Sequence, residues 1–276
     1  MVKRILVALS GTSYTPIAVQ CAVELAQRHN ASVTGVTVVD LKSLSDVGPV
    51  PLGAHAAAHS LAEHRLAITQ ERIEEEIANF EKACDNANIN YAVDHEDGDP
   101  FDLLLKLWRY HDLTIIGLRG LFEYGVVHQP DDMIVRVIHH GVRPIIAVSH
   151  EHHPIKRVLI AYNGSHESAM AMKRFAQAHL WADVTVKVAC FGFEDEAALP
   201  LLTDATVYLR AHDYAPETES LPGYPTEGLL KHSREWQADL VVMGSTSRRR
   251  ITKLLKIGET ALEALIHADV PLFLSQ

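Results

Sequence analysis

The chain has 276 residues, 47% of them apolar and 22% charged, with a net charge of −10 and a pI of about 5.9. That length suits two domains, each large enough to bury its own core. The acidic balance argues against a nucleic-acid-binding surface, which usually makes a domain basic, and no run reaches the roughly 18 apolar residues of a membrane span. Three cysteines, Cys21, Cys84 and Cys190, form no C-x-x-C pair, which fits a reducing compartment and a cytoplasmic protein.

In chain order, Lys3-Arg4 leads into an apolar stretch that stops at Ser10-Gly11. That is short for the apolar region of a signal peptide, and the same pattern recurs inside the chain, so it reads as a first strand. Apolar runs bounded by turn residues predict strands at 4–9, 32–39, 90–95, 113–117 and 144–148, then at 156–162, 183–190, 205–210, 239–243 and 270–274. Helical spacing predicts helices at 14–29, 60–88, 100–110 and 131–140, then at 166–180, 224–237 and 257–267. Asp99-Pro100 is an N-cap and first-turn pair. The long, Glu- and Ala-rich 60–88 segment has only a short counterpart near 193–203. Pro200, Pro216, Pro222 and Pro225 then make the following stretch loop-like. Strands alternating with helices predict a parallel sheet covered on both faces.

The chain also repeats itself. Lys3-Arg4-Ile5-Leu6-Val7-Ala8-Leu9-Ser10-Gly11-Thr12 lies over Lys156-Arg157-Val158-Leu159-Ile160-Ala161-Tyr162-Asn163-Gly164-Ser165. Leu113-Thr114-Ile115-Ile116-Gly117 lies over Leu240-Val241-Val242-Met243-Gly244. Val142-Arg143-Pro144-Ile145-Ile146 lies over Asp269-Val270-Pro271-Leu272-Phe273, and the step from Gly117 to Pro144 equals that from Gly244 to Pro271. A repeat of domain size divides the chain into 1–149 and 154–276, joined through the polar Ser149-His150-Glu151-His152-His153-Pro154. The fold class is therefore α/β, two tandem five-stranded parallel doubly wound sheets.

In such sheets ligands bind beyond the carboxyl ends of the strands, where strand order reverses. The candidate loops are Ser10-Gly11-Thr12-Ser13 and Gly117-Leu118-Arg119-Gly120 in half one. In half two they are Asn163-Gly164-Ser165 and Gly244-Ser245-Thr246-Ser247. Small residues admit a phosphate, and a helix starting behind the loop offers free N–H groups.

With these motifs in place, both halves resemble the universal stress protein family, related in fold to the adenine nucleotide α-hydrolases. The resemblance covers nearly all of the chain except the 40–90 and 193–230 regions. It implies a tandem pseudo-dimer paired through the last strands, 144–148 and 270–274, with further homodimerisation open. It also implies an ATP- or AMP-binding site, with Mg²⁺ accompanying ATP. In the family the first strand ends in an acidic residue with Gly and Ser, and the fourth in G-x2-G-x9-G-[ST].

Ser10 and Asn163 stand at the acidic position. In half one, Gly117 and Gly120 fit, but Asp131-Asp132 stand where Gly-Ser belongs and would repel phosphate. In half two, Gly244 and Gly258 fit, Ser247 replaces the second glycine, and Glu259 takes the Ser or Thr position. Arg248, Arg249, Arg250, Lys253 and Lys256 crowd the same loop and suit phosphate oxygens. The expected nucleotide contacts are Asn163, Gly164, Ser165, Gly244, Ser247, Arg248, Arg249 and Gly258, although Asn163 and Ser165 equally suit capping the next helix.

No catalytic residue is assigned. There is no G-x-S-x-G, G-x4-G-K-[ST], H-E-x-x-H or G-x-G-x-x-G, and the 9–13 segment only faintly resembles the S-G-G-x-D-S loop of ATP pyrophosphatases. His150, His152 and His153, like His55, His59 and His64, read as exposed polar residues rather than metal ligands. Cys21 and Cys84 read as core. The expected function is a stress-response protein that binds nucleotide as a switch and is not an enzyme. The alternatives are an interaction module of the same fold that binds none and, behind it, an ATP-using enzyme. No protein partner follows from the sequence.

Overall fold

In the computed structural model, residues 2–39, 54–97, 100–118, 144–245 and 258–275 are described. They contain β1 (Arg4–Ala8), α1 (Thr15–His29), β2 (Ser32–Val39), α2 (His55–Asn86), β3 (Tyr91–Asp97), α3 (Pro100–Trp108), β4 (Leu113–Gly117) and β5 (Ile145–Val148). The second half contains β6 (Arg157–Ala161), α4 (His166–Ala178), β7 (Thr185–Phe191), α5 (Asp195–Arg210), β8 (Glu217–Leu221), α6 (Pro225–Glu235), β9 (Leu240–Gly244), α7 (Glu259–His267) and β10 (Leu272–Ser275). The helix expected at 131–140 lies outside the described residues.

The ten strands form one sheet in the order β3-β2-β1-β4-β5-β10-β9-β6-β7-β8. Each half is an open parallel sheet whose first strand has its successor on one side and its fourth strand on the other. The halves meet where β5 and β10 pair antiparallel, with Phe273 opposite Ile146, as the resemblance implies. β1, β4, β5, β9 and β10 are almost wholly buried, so their continuous Val, Ile and Leu runs carry no alternation. In half one α1 packs against β1, β4 and α2. In half two α4 lies on β9 and β10, α5 on β7 and β8, and α6 against α7.

One expected strand is wrong. Residues 205–210 are the last turns of α5, a 16-residue helix rather than a short counterpart of α2. Thr206, Val207 and Tyr208 have strand propensity. However, Ala198, Leu202, Ala205 and Leu209 make one buried stripe at helical spacing, and packing that stripe outweighs local preference. The third strand of half two is instead β8, inside the stretch expected to be loop. Its Glu-Thr-Glu-Ser sequence tolerates an edge position because it pairs with β7 alone. There Lys187 Nζ lies 2.8 Å from Glu219 and 3.8 Å from Glu217. Pro216 and Pro222 bracket it without breaking a ladder.

The repeat extends beyond the segments legible in sequence. Asp112 Oδ2 accepts the backbone N–H groups of Lys3 and Arg4 at 2.9 and 3.1 Å, and Asp239 Oδ2 accepts those of Lys156 and Arg157 at 2.9 and 2.8 Å. Each carboxylate ties the start of its half's fourth strand to the start of the first.

Candidate functional site

The strand order reverses around β6, which has β7 on one side and β9 on the other. The loop after β6 turns at Gly164, whose φ of +72° lies in the left-handed region. A Cβ there would also approach Leu201 Cδ2 of α5 to 2.6 Å. Within this loop Asn163 Oδ1 accepts from the Ser165 backbone N–H at 3.0 Å and from Ser168 Oγ at 2.8 Å. Ser165 is the N-cap of α4, and its Oγ accepts from the Ser168 N–H at 3.2 Å. Ser165 therefore does the capping that its residue type suggests. Asn163 and Gly164 are exposed.

The loop after β9 begins at Gly244, packed on the start of α4. A Cβ on Gly244 would meet the carbonyl carbon and oxygen of Glu167 at 2.8 and 2.9 Å, so only glycine allows backbone to approach backbone here. Ser245 follows, its Oγ donating to Ser275 O at 3.2 Å. Gly258 is the N-cap of α7, with no side-chain cap, and its N–H reaches Ser245 O at 3.4 Å. Asn163, Gly164, Ser165, Gly244 and Gly258 thus belong to two loops at the carboxyl ends of adjacent strands, with two helix N-termini behind them. Glu259 is exposed in the first turn of α7. Ser247, Arg248 and Arg249, with Arg250, Lys253 and Lys256, lie outside the described residues. Tyr162, at the start of the first loop, has its hydroxyl pKa raised by burial, then by nearby Cys190 and Asp204.

Half one has the same scaffold in a sealed form. Gly11 turns with φ of +66°, as Gly164 does. Ser10 Oγ is 2.9 Å from Thr12 Oγ1 and 3.1 Å from Thr15 Oγ1, so the three hydroxyls satisfy one another. Ser10 and Thr15 are 1% exposed and Thr12 5%, so of this loop's side chains Ser13 alone is exposed. Gly117 is covered by Tyr14, whose Cβ lies 2.7 Å from where a Cβ on Gly117 would be. The Tyr14 ring stacks on His150 at 4.1 Å between centroids. Gly120, Asp131 and Asp132 lie outside the described residues.

Among the other residues singled out in sequence, three histidines have acidic partners. His152 Nε2 is 3.2 Å from Glu24 Oε2, and His153 Nε2 is 3.1 Å from Glu151 Oε2. His59 pairs with Glu63 at 3.4 Å on the surface of α2. Among the described residues no three His, Cys, Asp or Glu side chains converge to hold a metal. The Cys84 and Cys190 thiols are pushed up to about 11 by burial, and Cys21 to about 12 by burial and then Glu24, so none is a ready nucleophile. A cavity of about 90 Å³ lies at the seam between the halves, between α1, the 151–155 linker and Trp181. It is away from the two loops and too small for a nucleotide. Among the described residues no helix is long and apolar enough to cross a membrane.

Comparison with known proteins agrees with this architecture. The universal stress protein family model matches residues 1–123 and 191–275. A universal stress protein of Synechocystis sp. is 24% identical over 285 residues, covering 98% of each chain. A universal stress protein from Archaeoglobus fulgidus superposes with a TM-score of 0.71 at 17% identity, over 99% of this chain and 98% of that one. A functionally unknown protein from Pseudomonas aeruginosa superposes with a TM-score of 0.59 at 15% identity, over 99% and 92%. With a family model matching well over half of its residues and a family structure superposing along its whole length, this chain belongs to the universal stress protein family.

Proposed function

We propose that this protein binds a nucleotide, ATP or AMP, in its second half and acts as a binding switch rather than as an enzyme. The observation that carries this reading is the asymmetry between the two equivalent loops. In the first half the hydroxyls of Ser10, Thr12 and Thr15 are closed on one another, whereas the second-half loop leaves Asn163 and Gly164 exposed beside Gly244. The uncapped N-terminus of α7 supplies N–H donors suited to phosphate. Mg²⁺ would enter with the phosphates of ATP and neutralise part of their charge.

One observation favours the alternative of a nucleotide-free interaction module. Glu259 places a carboxylate in the first turn of α7, where it complements the helix dipole itself and repels a phosphate. Calorimetric titration of the full chain with ATP–Mg²⁺ and with AMP separates the two. Binding that is abolished by Gly244→Ala and strengthened by Glu259→Ser supports the nucleotide site. No binding by the wild type or by Glu259→Ser overturns it and leaves the interaction module.

A further inference from the structure

Among the described residues the two most exposed large aliphatic side chains, Leu199 at 66% and Val207 at 64%, lie on one helix, α5. They are about 12 Å apart along its axis, with the exposed Thr203 midway between them. Spacing of four residues sets the three on one ridge, turned away from the buried stripe that packs α5 on β7 and β8. Thr203 Oγ1 donates to Leu199 O at 2.7 Å, so its hydroxyl is spent within the helix. Exposed Pro200 widens the apolar face. The ends of the ridge carry opposite charges. Glu196 stands two turns before Thr203 and Arg210 two turns after it, near the same face. Both are exposed, and neither has an ion-pair partner among the described residues.

We infer that this face of α5 is an interface between two copies of this chain, packed antiparallel about Thr203. Outward from Thr203 the face reads alike in both directions, aliphatic and then charged, except that the sign of the charge reverses. Such a surface complements itself across a two-fold axis. Leu199 of each copy meets Val207 of the other, and Glu196 meets Arg210. Glu196 and Arg210 also complement the dipole of their own helix, but only an antiparallel pair sets each against its opposite. Asp195 adjoins the acidic end, and Asp204 stands about 100° around the helix from Thr203, off the ridge. This contact is separate from the β5–β10 pairing within one chain and does not depend on the nucleotide-binding reading. A single helix pair buries less than the about 1,200 Å² of a stable interface, so the dimer is a transient one.

The test is sedimentation velocity of the full chain over a concentration series. The 30.5 kDa monomer is expected to give way to a species of twice its mass, with half-dimerisation between about 10 µM and about 1 mM. Val207→Glu sets a carboxylate against Leu199 of the other copy and is expected to abolish the dimer, with the melting temperature reporting that the fold is kept. Glu196→Arg and Arg210→Glu each turn two attractive contacts into repulsive ones. Each is expected to weaken the dimer about tenfold, and the two combined to restore it. A chain that stays monomeric throughout the series overturns the interface, as does a dimer that Val207→Glu leaves intact. A combined charge variant no tighter than either single one overturns the antiparallel arrangement.

Discussion

The Tyr14 hydroxyl lies 2.6 Å from Nε2 of His150, and the two rings stack, so the first residue before α1 is clasped by the linker that leads out of half one. Tyr14 also covers Gly117, which makes the clasp part of the seal over the first-half crevice. The equivalent position in half two is Glu167, whose backbone packs on Gly244 in the same way while the loop beside it stays open.

Tyr14→Phe keeps the stack and removes the hydroxyl. It is expected to cost about 1 kcal/mol, the net value of one hydrogen bond, read from urea unfolding. His150→Ala removes stack and bond together and is expected to cost more, about 1–3 kcal/mol. Equal, negligible losses would mean that the clasp contributes nothing to the fold.

Asp112→Ala and Asp239→Ala each strip an acceptor from two backbone N–H groups. Three of those N–H groups are at exposed positions, where water can replace the carboxylate, but that of Arg157 is part-buried. Asp239→Ala is therefore expected to lower stability by about 1–3 kcal/mol and Asp112→Ala by less. Denaturant midpoints of the two variants check the order.

His111 is a buried imidazole kept neutral. Its Nδ1–H donates to Leu107 O at 2.7 Å and its Nε2 accepts from Thr34 Oγ1 at 2.9 Å. Burial lowers its pKa below the ordinary 6.5, partly offset by the bond to Leu107. The unfolded chain then binds this proton more readily than the native protein. The contribution of His111 is complete above pH 6.5 and is lost progressively as pH falls from there toward the lowered value. The wild type should lose more stability than His111→Gln between about pH 7.5 and about pH 5.5, measured by urea unfolding. An equal pH dependence would remove His111 from the account.

Periodicity and repetition made most of the architecture legible. The runs at Ile5–Leu9 and Val158–Tyr162 are apolar because both faces of their strands are covered, and burial of that kind writes itself into composition. β8 escaped because an edge strand needs no apolar face, and its Glu residues are offset by Lys187 on β7, which no local window connects to them. A signal did exist. Pro100 and Pro225 both open a helix, and β3 and β8 both end just before those helices. The Asp112 and Asp239 ties were equally visible as matched positions, but a carboxylate before a strand has no local pattern that names its partner.

The sequence by itself determined a tandem α/β chain with two loop pairs at the carboxyl ends of its strands, because hydrophobic period and glycine placement are properties of neighbouring residues. Only the tertiary structure decided that the hydroxyls around Ser10 are closed on one another and that the loop at Asn163 is open. Those outcomes depend on which distant side chains a hydroxyl or amide meets once packed. Ser10 finds Thr12 and Thr15 beneath a buried surface, while Asn163 turns its oxygen inward and leaves its nitrogen outside.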